Sequence, residues 1–264
     1  MSTTRIALAQ FGAALGDVAA NLDRMLALLD RARTGGADVV CYPELCLSGY
    51  LLERSAYDDE LLAAAERAEA ELARVASTAD VTLVYGTPVA GDGGLQNAVV
   101  HVDPKGRRLV YAKTHMDVKE RQVFTRGDAF VVADEGLGLA CCYDLAFPEP
   151  GRILALQGAR ALLVPMAWEV ERAFVMEKVA VARAVENVAY VVCVNQCGTV
   201  GPYRFSGASR ALDPLGEALV TLGDEEAVEV VELDLGLVDR LRDTTDARTY
   251  PLLDDRRPDL YASQ

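Results

Sequence analysis

The sequence predicts an α/β fold, a mixed sheet with helices outside it, forming a single domain over residues 1–264. Three observations carry this expectation. Short apolar runs rich in Val, Ile and Leu recur at strand length, several are separated by apolar stripes of helical period, and the middle of the chain is punctuated by turn residues. Taken in order, Arg5–Phe11 reads as the first strand. Leu22, Met25, Leu26 and Leu29 then mark one face of a helix, and Val39–Tyr42 reads as a second strand. Leu61, Leu62, Ala65, Ala68, Leu72 and Val75 mark another helix. From Val81 to Val131 the runs Val81–Tyr85 and Ala98–Val102 are set off by Gly91-Asp92-Gly93-Gly94 and Asp103-Pro104-Lys105-Gly106, so antiparallel hairpins are expected there. Leu137–Cys142, Leu162–Val164 and Tyr190–Val194 follow as further strands. Ala227–Leu235 reads as a late strand with Glu229 and Glu232 on its wetter side, and residues 244–264, rich in Asp, Arg and Pro, as an extended tail.

Composition narrows the function. Half the residues (51%) are hydrophobic, enough for a sizeable core at this length. Forty acidic against 26 basic side chains give a net charge of -14, which repels nucleic acid and anionic lipid. The N-terminus lacks the basic start and apolar stretch of a signal peptide, and no apolar run reaches membrane-spanning length, so a cytoplasmic chain is expected. Cys41, Cys46, Cys141, Cys142, Cys193 and Cys197 lie mostly inside apolar runs, which suits reduced thiols. There is no Cys-x-x-Cys, and His101 and His115 sit in separate contexts, so a metal site is not expected.

The sharpest local feature is Leu139-Ala140-Cys141-Cys142-Tyr143-Asp144, where an apolar strand delivers a cysteine straight into a polar turn before a helix. A nucleophile there stands at a strand end beside backbone N–H groups able to hold an oxyanion. Successive strand residues face opposite ways, so only one of the two cysteines can enter a site. Either can equally be a buried core thiol. A cysteine nucleophile needs a base, which His115, His101 or a buried carboxylate could supply. Glu44, alone between apolar neighbours in Tyr42-Pro43-Glu44-Leu45, is such a carboxylate. Lys113, just past a strand, could support developing negative charge or lower a thiol pKa. Glu120 lies in the charged run Val118-Lys119-Glu120-Arg121-Gln122, where nothing local singles it out.

Together and in order, these segments resemble the nitrilase, or carbon–nitrogen hydrolase, superfamily. The resemblance rests on Tyr42-Pro43-Glu44-Leu45-Cys46-Leu47-Ser48-Gly49-Tyr50, on Tyr111-Ala112-Lys113-Thr114-His115-Met116 and on Cys142-Tyr143-Asp144-Leu145-Ala146-Phe147-Pro148-Glu149. Pro165–Trp168, Arg183–Asn187, Asn195–Gly198, Phe205–Ser209 and Asp213–Gly216 add further matches. It implies an α-β-β-α sandwich, no cofactor, and a homodimer or higher homo-oligomer with Trp168, Arg183 and Glu186 near a pocket or interface. It also implies Cys142 as nucleophile with Cys141 as a structural neighbour, and Glu44 as general base. Lys113 with the backbone N–H of Tyr143 would form the oxyanion site, and Glu120 would be the second carboxylate. Tyr50, Trp168 and Glu169 would contact a small-molecule amide.

The Cys142-Tyr143-Asp144 pattern resembles amidase-type branches more than nitrilases. The expected reaction is therefore hydrolysis of a small aliphatic amide to an acid and ammonia through a thioester, with an N-carbamoyl hydrolase as alternative and a nitrilase further off. Transfer of the acyl group to an amine would use the same thioester. Past Trp168, Glu169 and Glu171 would favour an amide with a distal ammonium and Arg172 one with a carboxylate. The acidic majority tips the expectation toward a neutral or amino-bearing amide.

Overall fold

The structure, a computed structural model, describes residues 3–91, 93–134, 136–243 and 248–261. The chain opens with β1 (Thr3–Gln10), α1 (Val18–Thr34), β2 (Val39–Cys41) and α2 (Asp59–Ala79), followed by the meander β3 (Thr82–Gly91), β4 (Gly94–Val102) and β5 (Arg108–Ala112). Next come β6 (Val131–Val132), β7 (Leu137–Leu139), α3 (Pro148–Leu156), β8 (Ala161–Met166), α4 (Ala173–Asn187) and β9 (Tyr190–Asn195). A small ribbon, β10 (Cys197–Val200) with β11 (Tyr203–Ser206), precedes the hairpin of β12 (Arg210–Leu212) and β13 (Ala218–Thr221). Last are β14 (Ala227–Asp234), α5 (Leu235–Arg242) and α6 (Pro258–Tyr261).

Two six-stranded sheets result, ordered β14-β1-β2-β3-β4-β5 and β13-β12-β9-β8-β7-β6. Strand pleating explains the layering, because alternate residues of β1 enter different cores. Ile6 and Leu8 join Val84, Leu163, Val192 and Val194 between the sheets, whereas Ala7 and Ala9 join Met25, Leu28 and Leu72 under α1 and α2. Leu154, Met176 and Ala180 bring α3 and α4 onto the second sheet. The α-β-β-α sandwich expected from the sequence is the observed fold. The central parallel strands are buried on both faces, which is why they read as continuous apolar runs rather than alternating ones.

Helix ends follow sequence chemistry. Asp17 and Asp58 cap α1 and α2 by accepting the N–H groups of Ala20 and Leu61.

Three local readings are corrected. The strand before the tandem cysteines ends at Leu139; Cys141 is extended backbone beyond it and Cys142 opens a turn, so pleating within a strand does not separate them. Glu229 and Glu232 are both exposed, yet their odd spacing puts them on opposite faces of β14, an edge strand. The tail is not extended throughout: the N–H groups of Asp254 and Asp255 donate to the carbonyl of Pro251, and α6 follows. Its residues 244–247 and 262–264, like Asp92 of the expected turn, lie outside the described residues. Among the described residues no helix is long and apolar enough to cross a membrane.

Candidate active site

The site forms beyond the C-terminal ends of parallel strands from both sheets, where α/β proteins commonly bind ligands. β2 runs into the Glu44 loop, β7 into Cys142, and β8 into Ala167 and Trp168, while antiparallel β5 runs into Lys113. Hydrogen bonds tie these loops across the sandwich. The Glu44 N–H donates to the Met166 carbonyl (3.3 Å), and Gln196 Nε2 donates to the Glu44 carbonyl (2.9 Å). A Cβ on Gly86 of β3 would lie 2.2 Å from Leu45 N and 2.6 Å from Glu44 Cα, so only glycine lets the strand pass so close behind the glutamate.

Glu44, Lys113 and Glu120 form one buried charge cluster. Lys113 Nζ donates to Glu44 Oε1 and Glu120 Oε1, each at 2.6 Å. Burial alone would push the Lys113 ammonium down, but the two carboxylates outweigh it and hold the group well above its ordinary value. Burial and then neighbouring Glu44 push Glu120 up, partly opposed by Lys113. Glu120 is buried because the turn Glu120–Gln122 folds it inward: its N–H donates to Asp117 Oδ1, and the Asp117 N–H donates to Glu120 Oε2.

Cys142 sits at the start of a tight turn over Cys142–Ala146 with φ +46°, a left-handed conformation that a non-glycine residue adopts at a cost of order 1–3 kcal/mol. Strain at the tip of a strand-to-helix turn is the geometry of a nucleophile elbow. Burial first, then the charge of Glu44, raises the Cys142 thiol well above its ordinary value, while Lys113 and the backbone N–H of Ala167 pull the other way. The Asp144 carboxylate fixes this elbow. Its Oδ2 accepts from the Cys141 N–H (2.9 Å) and Tyr111 OH (2.7 Å), and its Oδ1 accepts from Thr114 Oγ1 and the His115 N–H, both at 3.0 Å. One carboxylate thereby fastens the Cys142 turn of one sheet to the Lys113 segment of the other. Arg183, mostly buried, completes the support by donating to the carbonyls of Leu145 and Ala146 and pairing with Glu186.

Cys142 opens into a cavity of about 80 Å³ lined by Tyr50, Glu120, Tyr143, Trp168, Glu169 and Arg172 among others. All three residues expected to contact substrate, Tyr50, Trp168 and Glu169, therefore line the same cavity, as does Tyr143. Glu171 is not part of its lining. Neither histidine lines it, and His115 Nδ1 lies 2.9 Å from Asp144 Oδ1 with its ring stacked on Phe147. Cys141 is fully buried in the inter-sheet core. Among the described residues no group of three or more His, Cys, Asp or Glu is arranged to hold a metal ion.

Sequence reasoning missed Asn97, whose Nδ2 reaches both Glu44 Oε1 (2.7 Å) and Glu120 Oε1 (3.3 Å). The available signal was a polar residue inside the apolar strand Leu95–Val102. Of the other residues that line the cavity, Asp117 and Lys119 lie in a polar loop and Tyr203 opens β11, contexts that offered no such signal.

A sandwich of two sheets with a cysteine elbow facing a Glu–Lys–Glu cluster defines a class of hydrolase, and comparison with known proteins agrees. The carbon–nitrogen hydrolase family model matches residues 5–243, and this chain belongs to that family. It is 34% identical to an (R)-stereoselective amidase of a Pseudomonas species, over 98% of this chain and 94% of the relative. It is 30% identical to a 2-oxoglutaramate amidase of Bacillus subtilis, over 97% and 98% of the two chains. Among solved structures it is similar to an amidase from a Nesterenkonia species, with a TM-score of 0.85 and 30% identity over 98% of this chain and 95% of that one. A variant of that amidase carries the acetamide moiety of fluoroacetamide covalently bound at its active-site cysteine (TM-score 0.86, 30% identity, 98% of this chain and 96% of that one).

Proposed function

We propose that this enzyme hydrolyses a short, uncharged aliphatic amide to the carboxylic acid and ammonia, through a thioester on Cys142. One observation carries the reading: Glu44 Oε1 is pinned by Lys113 and Asn97, while its Oε2 is buried with no hydrogen-bond partner among the described residues. A carboxylate oxygen left free in a dry site is a proton acceptor in waiting. In this reading Glu44 takes the Cys142 proton as the sulfur bonds to the amide carbon. Lys113 Nζ and the Tyr143 N–H stabilise the oxyanion. Glu44 then hands the proton to the departing nitrogen, ammonia leaves, and the acyl group remains on sulfur. Glu44 next removes a proton from water, whose oxygen attacks the thioester, and the thiol is re-formed as the acid departs. Glu120 holds Lys113 in place and borders the bound amide.

Cavity size supports a short acyl chain, since about 80 Å³ is roughly half of the ~150 Å³ apolar cavity that accepts benzene. Charge at the mouth supports a neutral one: Asp117 and Glu169 are balanced there by Lys119 and Arg172. The amidase names of the relatives favour an amide over an N-carbamoyl compound or a nitrile. A reducing cytoplasm is the compartment this reading assigns, since it keeps six buried thiols free. It also assigns a homodimer, built on the outer face of α4, where Phe174, Val181 and Val185 are exposed. The test is ammonia release from matched short substrates, namely amides ending in methyl, ammonium or carboxylate, an N-carbamoyl amine and a nitrile. The methyl-ended amide is expected to give the highest kcat/KM, and a carbamoyl compound or nitrile turned over faster would overturn the assignment.

A further inference from the structure

Two carboxylates share one lysine in this site, and something must hold them together against their repulsion. Glu44 comes from the loop after β2, and Glu120 comes from a turn well beyond β5. Their facing oxygens carry four hydrogen bonds from two donors. Lys113 Nζ supplies one to each, and Asn97 Nδ2 supplies one to each from the side, at 2.7 Å to Glu44 and 3.3 Å to Glu120. The amide can face only one way, because its oxygen in place of Nδ2 would point at two carboxylate oxygens.

Asn97 is also the backbone partner of the lysine. Its carbonyl accepts the Lys113 N–H at 2.8 Å, continuing the β4–β5 ladder in which Ala98 faces Ala112. One residue therefore sets where the Lys113 main chain leaves the sheet and where both of its partners lie. Its side chain is fully buried, and its own Oδ1 has no partner among the described residues. A buried unpaired amide oxygen is costly, which is out of place in ordinary strand packing.

From this geometry we infer that Asn97 is a positioning residue of the active site, bridging Glu44 and Glu120 so that Lys113 and the free Glu44 Oε2 face Cys142 together. This rests on the proposed role of Glu44 as the base. Removing the bridge shifts the base from its place, and a misplacement of about 1 Å can cost about 10²-fold in rate. It also removes a donor from the charged form of Glu120, which burial already pushes up, so that carboxyl binds a proton more readily. The acid limb of the kcat profile then moves to higher pH.

The experiment compares Asn97→Leu, which keeps the bulk and loses the donor without adding charge, with Asn97→Ser, which keeps a donor on a shorter arm, and with Cys142→Ala. For Asn97→Leu the expected result is a kcat loss of about 10²-fold with KM little changed and the acid limb displaced upward. Asn97→Ser should fall between it and the native enzyme. Native kcat and an unmoved acid limb in either folded variant would overturn the inference, as would a loss of thermal stability without either kinetic change. Activity surviving in Cys142→Ala would instead overturn the underlying mechanism, so the two failures are distinguishable.

Discussion

The Cys142 sulfur meets opposing influences: burial and Glu44 push its proton affinity up, and Lys113 and the Ala167 N–H pull it down. The upward push wins, so the resting group is a thiol and Lys113 does not make it a standing thiolate. That is why the free oxygen of Glu44 matters, since a neutral thiol needs a base at the moment of attack. The sign is testable. With its pKa raised, the thiolate is the minor form at neutral pH and grows only as pH rises. The ultraviolet thiolate absorbance of the native chain minus that of Cys142→Ser should therefore show no step below pH 9.0. A step near neutrality would mean that Lys113 dominates. Strand ends made Glu44, Lys113 and the cysteine pair candidates, but the choice of Cys142 over Cys141 came only with the family resemblance. Glu120 came from the resemblance alone, because its charged neighbours imitate an exposed face and only the turn made with Asp117 buries it. Asn97 was hidden by a different cause: its partners lie 53 and 23 residues away, a relation no local pattern encodes.

Strands and helices were more legible than side-chain networks, because their period repeats while a network does not. The β3–β4–β5 meander follows from turn residues between apolar runs, and α1 and α2 follow from their stripes. The Cys142 strand was read too long, because an apolar sequence continues past Leu139 although the backbone turns there. Helix α4 carries information of another kind. Phe174, 66% exposed, lies on its outer side with Val181 and Val185, and a Cβ on Gly216 would touch the latter two. Neighbouring Leu215 and Leu219 are also exposed, so the face extends beyond one helix. In the proposed homodimer this patch is the association surface. Light scattering at micromolar concentration should give the mass of two chains, and Val181→Glu should return the mass of one. A monomeric native chain would exclude pairing through α4.

As a whole, the molecule works by closing two sheets around one set of groups. The first sheet supplies Glu44, Asn97 and Lys113, and the second supplies Cys142 and Trp168. The Asp144 carboxylate and the Gln196–Glu44 contact hold the two halves in register. The sandwich could be anticipated from resemblance, but the fastening between sheets could not, since it joins residues distant in sequence. The account stands on the claim that Cys142, and not its neighbour, carries the acyl group. The direct measurement is mass spectrometry of acid-quenched enzyme during turnover of a short amide, with the peptide holding both cysteines fragmented to locate any added acyl mass. The account predicts that mass on Cys142 alone. Acyl mass on Cys141, or steady ammonia release with no covalent adduct in any quenched sample, would contradict it.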